Sequence, residues 1–180
     1  MKKTILTAVL FISSIFYVFA QDSTNVKPKT YEFGIRLGTS IYNIESEFEN
    51  PSFTGLYGGL FVQKHFSEKF SIQLEANYTG QDLLSFPVLL NYKITDKFEV
   101  YGGAELNFSL GQPNVAEEFR NKRFGASLVI GAKYNIDSKW FIEGRYSHGV
   151  SDQFPIFQGF GTESVYGKRR IFNIGIGYKF

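Results

Sequence analysis

An all-β chain, an eight-stranded antiparallel up-and-down transmembrane β-barrel, is what the sequence predicts, and three observations predict it. The run Arg170-Ile-Phe-Asn-Ile-Gly-Ile-Gly-Tyr-Lys-Phe180 alternates aromatic or aliphatic side chains with Asn173, Gly175, Gly177 and Lys179 up to the last residue. One joint recurs three times, as Phe66-Ser-Glu-Lys-Phe70, Ile94-Thr-Asp-Lys-Phe98 and Ile136-Asp-Ser-Lys-Trp140. Twenty Phe and eleven Tyr accompany eighteen Gly and only five Pro, a balance that suits pleated strands with one apolar face and aromatic girdles.

Met1-Lys2-Lys3 and the apolar stretch to Ala20 have the basic start, short hydrophobic core and small-residue exit of a signal peptide, with cleavage expected after Ala20. The stretch is shorter than the ~20 residues that a spanning helix wants. Of 19 basic and 17 acidic residues, only Lys2 and Lys3 lie in residues 1–20, so the mature chain carries 17 of each sign. Such neutrality lacks the basic footprint of nucleic-acid binding. With no cysteine, a lipoprotein anchor, a disulfide framework and a thiolate metal site are excluded. About 160 residues remain, one domain's worth: a flexible periplasmic lead-in over 21–30 and a barrel over 31–180.

The period becomes two at Tyr31. Tyr31, Phe33, Ile35, Leu37 and Ile41 share a face, and Glu32, Gly34, Arg36, Gly38 and Ser40 the other. In each repeated joint a turn-forming Ser, Thr or Asp is followed at once by a new alternating run, the mark of a tight hairpin. Strands are expected at about 31–42, 55–66, 70–79, 84–94, 98–110, 123–136, 140–149 and 169–180, within the few residues such readings allow. The connections 43–54, 80–83, 111–122 and 150–168 are mostly longer, so short turns and both chain ends belong in the periplasm and long loops outside.

The outward set includes Phe70, Ile72, Leu74, Ala76 and Tyr78, then Leu84, Phe86, Val88, Leu90 and Tyr92, then Phe124, Ala126, Leu128, Ile130, Ala132 and Tyr134. Aromatics stand toward the ends and aliphatics toward the middle, as interfacial girdles require. A lipocalin-like soluble barrel would turn this face inward, and periodicity alone does not distinguish the two. The terminal aromatic, the export signal and the paired girdles favour the membrane, and Phe172, Tyr178 and Phe180 form the expected C-terminal signal to the outer-membrane assembly machinery.

At Ser85-Phe-Pro-Val-Leu-Leu-Asn-Tyr-Lys-Ile-Thr-Asp-Lys-Phe-Glu-Val-Tyr-Gly-Gly-Ala-Glu-Leu-Asn-Phe108 the chain resembles the small outer-membrane β-barrel family labelled "porin family" or PorT-like. In that family an aromatic- or Ile-Pro pair opens a strand, a Lys-bearing turn follows and the next strand is Gly-rich. The resemblance extends in pattern over 31–180. It implies an eight-stranded barrel in the outer membrane, in contact with its lipid, and no catalytic residues.

Candidate functional residues fall into three sets. Arg36, Lys93, Lys133 and Arg145 share the inward phase with Glu32, Glu75, Glu99, Glu105 and Glu143. An eight-stranded interior is only wide enough to be filled by side chains, so these charges are expected to pair across the lumen, because an unpaired buried charge costs several kcal/mol. The fourth loop gathers Phe154, Phe157, Phe160 and Tyr166, candidate contacts for a protein partner outside the cell. Ser147-His148-Gly-Val-Ser151-Asp152 holds the minimum for an activated hydroxyl. Adjacent strand residues point to opposite faces, however, leaving Ser151 as the nucleophile that His148 could reach. No metal or other cofactor is expected. The leading function is non-enzymatic, structural or partner-binding through the long loops. A narrow pore, a lipid-modifying hydrolase and an accessory role in protein secretion are the rivals.

Overall fold

The computed structural model describes residues 31–45, 52–79, 82–110, 122–156 and 165–180. Its strands are β1 (Tyr31–Glu45), β2 (Ser52–His65), β3 (Phe70–Thr79), β4 (Leu83–Lys93), β5 (Phe98–Ser109), β6 (Phe124–Asn135), β7 (Trp140–Gly149), β8 (Phe154–Ile156) and β9 (Val165–Lys179). Every long strand is antiparallel to its neighbours, and β9 closes the sheet on β1 from Gly34↔Lys179 to Glu45↔Lys168. Eight long strands therefore form a closed barrel, with β8 an addition paired to the start of β9. Even the last residue joins the seam, Phe180 N–H donating to the Phe33 carbonyl at 2.9 Å. Hydrocarbon offers no partner to a backbone N–H or C=O, so a membrane sheet must end on itself.

The alternation of faces settles which side is which. Inward Gln73 and Lys133 are 0% exposed and Arg36 1%, while outward Leu128 is 56% and Ile130 63% exposed. A soluble barrel would show the reverse, so the apolar wall is the lipid-facing one. Aromatic side chains meet ring to ring at its edges. At the turn end, Phe70 packs on Tyr92 with centroids 5.0 Å apart, and Trp140 on Tyr178 at 4.9 Å. At the loop end, Phe108 meets Phe124 at 5.3 Å.

The three repeated joints share one construction. Ser67 Oγ accepts from the N–H groups of Lys69 and Phe70, Thr95 Oγ1 from Lys97 and Phe98, and Asp137 Oδ1 from Lys139 and Trp140. The side chain thus substitutes for the backbone in turning the chain. The N–H groups of Trp140 and Lys139 also hold the Asp137 carboxyl below the usual carboxylate range.

Three boundaries differ from the sequence expectation by three or more residues. β1 and β2 run on to Glu45 and start at Ser52, and β9 starts at Val165 rather than 169, with β8 inside the expected loop 150–168. These extensions carry Asn43, Ser52, Thr54 and Lys168, so they lack the dyad pattern of lipid contact. The ladder pairings run on through them. The Phe86-Pro87 pair lies inside β4 rather than opening it, and the β3–β4 pairing pauses between Leu74↔Val88 and Asn77↔Ser85, where Pro87 has no N–H to give. The expected signal peptide, the lead-in 21–30, Phe157 and Phe160 lie outside the described residues.

Ile130 sits midway along β6 between Phe124 and Tyr134. Ile130→Arg should destabilise the barrel by about 2–4 kcal/mol, read by urea unfolding in lipid vesicles through the single tryptophan, Trp140. Lys122→Arg, beyond the belt, should leave the transition in place.

Candidate functional site

Inward phase places a column of charged and polar side chains along the barrel axis, and its centre is a closed ring of four. Arg36 lies 3.0 Å from Glu75 and 3.1 Å from Glu143. Arg145 lies 2.7 Å from the same Glu75 and 3.1 Å from the same Glu143. The two arginines come from β1 and β7 and the two carboxylates from β3 and β7, so the ring ties opposite walls together. Tyr57 and Tyr101 add their hydroxyl donors to Glu143 at 2.9 and 3.1 Å, and Gln73 and Asn77 donate to Glu75. Charge-assisted bonds of this kind are about twice as strong as neutral ones, and each carboxylate has the several donors that burial demands.

Three further groups flank the ring. Toward the turn end, Lys133 is 3.7 Å from Glu99 and donates to Gln63 and Gln73 at 3.3 and 3.2 Å. Below it Glu32 lies between His65 at 3.5 Å and Lys179 at 3.4 Å. Toward the loop end, Arg169 is 2.6 Å from Glu105, which also accepts from Ser147. Among the described residues the column thus balances five cations (Arg36, Lys133, Arg145, Arg169 and Lys179) against five carboxylates (Glu32, Glu75, Glu99, Glu105 and Glu143).

Aromatic rings fill the space between the charges, and glycines make room for them. Gly34, Gly38, Gly131 and Gly177 lie directly across the ladder from Phe61, Tyr57, Tyr101 and Phe141. A Cβ at any of the four would collide with the facing ring. The rings also carry cations: the Arg36 guanidinium is 5.0 Å from the Phe61 centroid and Lys133 Nζ 4.9 Å from that of Phe141, within cation–π range. A cavity of about 10 Å³ remains toward the loop end, lined by residues that include Tyr57, Asn77, Glu105, Arg145, Arg169 and Asn173. It has room for about one water.

Of the residues singled out from the sequence, the structure brings Glu32, Arg36, Glu75, Glu99, Glu105, Lys133, Glu143 and Arg145 into this column. Lys93 is a correction: it stands at the end of β4, 40% exposed, and pairs with Asp96 of the next turn at 2.8 Å. Its phase is inward and it faces Glu99 across the ladder, but its side chain turns out of the barrel mouth to Asp96. Arg169, Tyr57, Phe61 and Phe141 are additions, whereas Tyr101 shares the inward phase of Glu105 in the sequence. Arg169 shares the phase of Asn173 and Gly175 but borders the expected loop, and the three added rings are evident only once cross-strand register is known.

Ser147 faces the lumen, whereas His148 lies on the outer face with Nδ1 3.4 Å from the Tyr146 hydroxyl. Ser151 accepts from the Ala126 N–H at 2.8 Å and donates to the Ala126 carbonyl. The serine–histidine pair that the sequence offers is therefore not assembled. From there the chain folds against β6, where Gln153 and Lys122 exchange backbone and side-chain bonds. The backbones of Phe154 and Tyr166 lie in the β8–β9 ladder.

Glu143→Gln should cost about 3–5 kcal/mol, the penalty of leaving buried charge uncompensated, because Arg36 and Arg145 would then share Glu75 alone. Pairing it with Arg36→Gln, which restores neutrality, should recover most of that loss in the same urea titration. Equal losses in single and double variants would show that charge balance is not what holds the lumen.

Comparison with known proteins reaches the same architecture. A family model for the outer membrane protein beta-barrel domain matches residues 6–180. Among solved structures, the chain is similar to Ail, the attachment invasion locus protein of Yersinia pestis, in complex with the heparin analogue sucrose octasulfate. Identity is 11% and the TM-score 0.52, over 83% of this chain and 99% of that one. It is also similar to Neisserial surface protein A, at 12% identity and a TM-score of 0.51, over 82% of this chain and 97% of that one. Identities this low speak to the fold alone. No curated protein matches the sequence.

Proposed function

The chain belongs to the outer membrane protein beta-barrel domain family, and from that premise we propose that it is a non-enzymatic integral protein of the outer membrane whose role is exerted through its surfaces rather than through its lumen. The observation that carries this reading is the filled, charge-neutral column. Four ion pairs closed into a ring span the barrel between opposite walls, with Phe61 and Phe141 packed toward the turn end. A solute would have to separate paired charges in a low-dielectric interior, at a cost of several kcal/mol per ion. What remains for function is the lipid-facing wall and the loop end, where β8 and β9 extend the barrel beyond the apolar belt. A structural role in the envelope, or capture of a protein partner by the loop between residues 150 and 168, follows. In this reading residues 1–20 are removed after Ala20, and turns and termini face the periplasm.

A narrow ion path is the second reading, and the cavity beside Arg145 and Arg169 favours it. It ends at the central ring, so conduction would require that ring to open.

The test combines three measurements on membrane-fraction protein. Unheated samples should run ahead of or behind heated ones on a detergent gel, and intact mass should begin at Gln21. Protease added to intact cells should cut within 150–168 and spare the three short turns. Reconstituted in planar bilayers, the protein should give no conductance steps. Steps abolished or altered by Arg145→Gln would transfer the function to a pore, whereas a soluble protein with no gel shift would remove the membrane reading altogether.

A further inference from the structure

The three short turns repeat a feature that turning the chain does not require. Ser67, Thr95 and Asp137 make each turn with their side chains. The lysine two residues on contributes its backbone: the carbonyls of Lys69, Lys97 and Lys139 accept from the N–H groups of Lys93, Asn135 and Lys179 at 2.8, 2.7 and 2.8 Å. Any residue could supply those carbonyls, yet the residue is lysine in all three, and all three side chains are exposed.

Their position is equally regular. Each lysine directly precedes a lipid-facing aromatic, Phe70, Phe98 or Trp140, and each turn begins on an outward-phase apolar residue, Phe66, Ile94 or Ile136. The Phe66 and Phe70 rings stack across one of these turns. Next to the chain ends, exposed Lys64 of β2 lies across the ladder from Tyr31 of β1 with Nζ 5.5 Å from its ring centroid, and Lys139 Nζ is 5.8 Å from that of Tyr178 of β9. Four ammonium groups thus surround the barrel at the edge of the apolar belt. Two of the nearby carboxylates are already engaged, Asp96 by Lys93 and Asp137 by backbone N–H groups.

We propose that Lys64, Lys69, Lys97 and Lys139 form a ring of sites for the phosphate groups of anionic glycerophospholipids, so that the barrel is held at a set depth in the leaflet at its turn end. The aromatic and aliphatic neighbours enter the acyl boundary while the lysine stems reach out to the headgroups. The inference rests on the proposed embedding of the apolar belt in the outer membrane, and it adds the lipid chemistry that one leaflet must offer. Each ammonium is expected to supply about five-fold in lipid affinity, the equivalent of about 1 kcal/mol.

Native mass spectrometry of the detergent-released, folded barrel tests this, with dioleoylphosphatidylglycerol and dioleoylphosphatidylcholine as probes. The wild type should retain phosphatidylglycerol in preference to phosphatidylcholine. The triple variant Lys69→Gln/Lys97→Gln/Lys139→Gln should weaken retention about five-fold at each of the three altered sites, so that fewer phosphatidylglycerol molecules stay bound per barrel, and the corresponding triple Arg variant should keep the wild-type number. Excess soluble glycerol phosphate should not displace the lipid; displacement would mean that free phosphate suffices and would overturn the interfacial site. So would undiminished phosphatidylglycerol retention by the triple Gln variant. If that variant shows no heat-dependent gel shift, the three single Gln variants take its place, each expected to lose about five-fold and each overturning the proposal if unchanged. Because micelles have no sidedness, a wrong orientation in the cell would appear in the protease experiment and not in this one.

Discussion

Closure of β9 on β1 is the constraint from which the rest of this molecule follows. A sheet in hydrocarbon cannot leave an edge, since each unpaired N–H or C=O there costs several kcal/mol. The chain meets that demand with a continuous antiparallel seam from Gly34↔Lys179 to Glu45↔Lys168. Once the sheet is closed, the dyad period of every strand divides its residues between lipid and lumen with no third choice. The polar half of the sequence is then compelled into a narrow interior, where it must satisfy itself.

That interior is solved by neutrality and by shape together. The Arg36, Glu75, Arg145 and Glu143 ring places each charge against two of the opposite sign. Tyr57 and Tyr101 serve twice, as packing and as donors to Glu143. Eight strands leave too little radius for aromatics unless something across the ladder yields, and Gly34, Gly38, Gly131 and Gly177 are the residues that do. The glycines here are spatial complements of particular rings, and their role differs from that of a turn glycine. A lumen packed this way ties opposite walls of the barrel together.

The rims differ in kind. At the turn end, three identical constructions and the chain termini make an even edge of aromatics and lysines. At the loop end, the wall is uneven: β1, β2 and β9 rise above their neighbours, β8 joins the start of β9, and the segment after β7 is bound back to β6 through Ser151 and Gln153. In the proposed reading the even rim meets a lipid leaflet, which is alike on all sides, and the uneven one a particular partner.

Much of this architecture is legible in the amino-acid sequence. The hairpins at Ser67, Thr95 and Asp137 can be read because a turn is local chemistry, decided within five residues. The eight strands and their outward faces can be read because a period of two is imposed residue by residue by the solvent on each side. The inward phase of Arg36, Glu75 and Arg145 is equally open to view. Which of these charges meet is not, because pairing across a lumen depends on the tilt and stagger of the closed sheet, which no local pattern encodes. For the same reason Lys93, correct in phase, falls outside the column at the end of β4, and Arg169, polar and next to a loop, falls inside it. Periodicity, turns and the apolar wall are thus written in the residues themselves, as consequences of neighbours along the chain. The Arg36–Glu143 and Arg145–Glu75 pairs, the glycines opposite Tyr57, Phe61, Tyr101 and Phe141 and the rise of β9 above the belt come from the folded sheet instead, because cross-strand register and the closing of the barrel bring distant residues together.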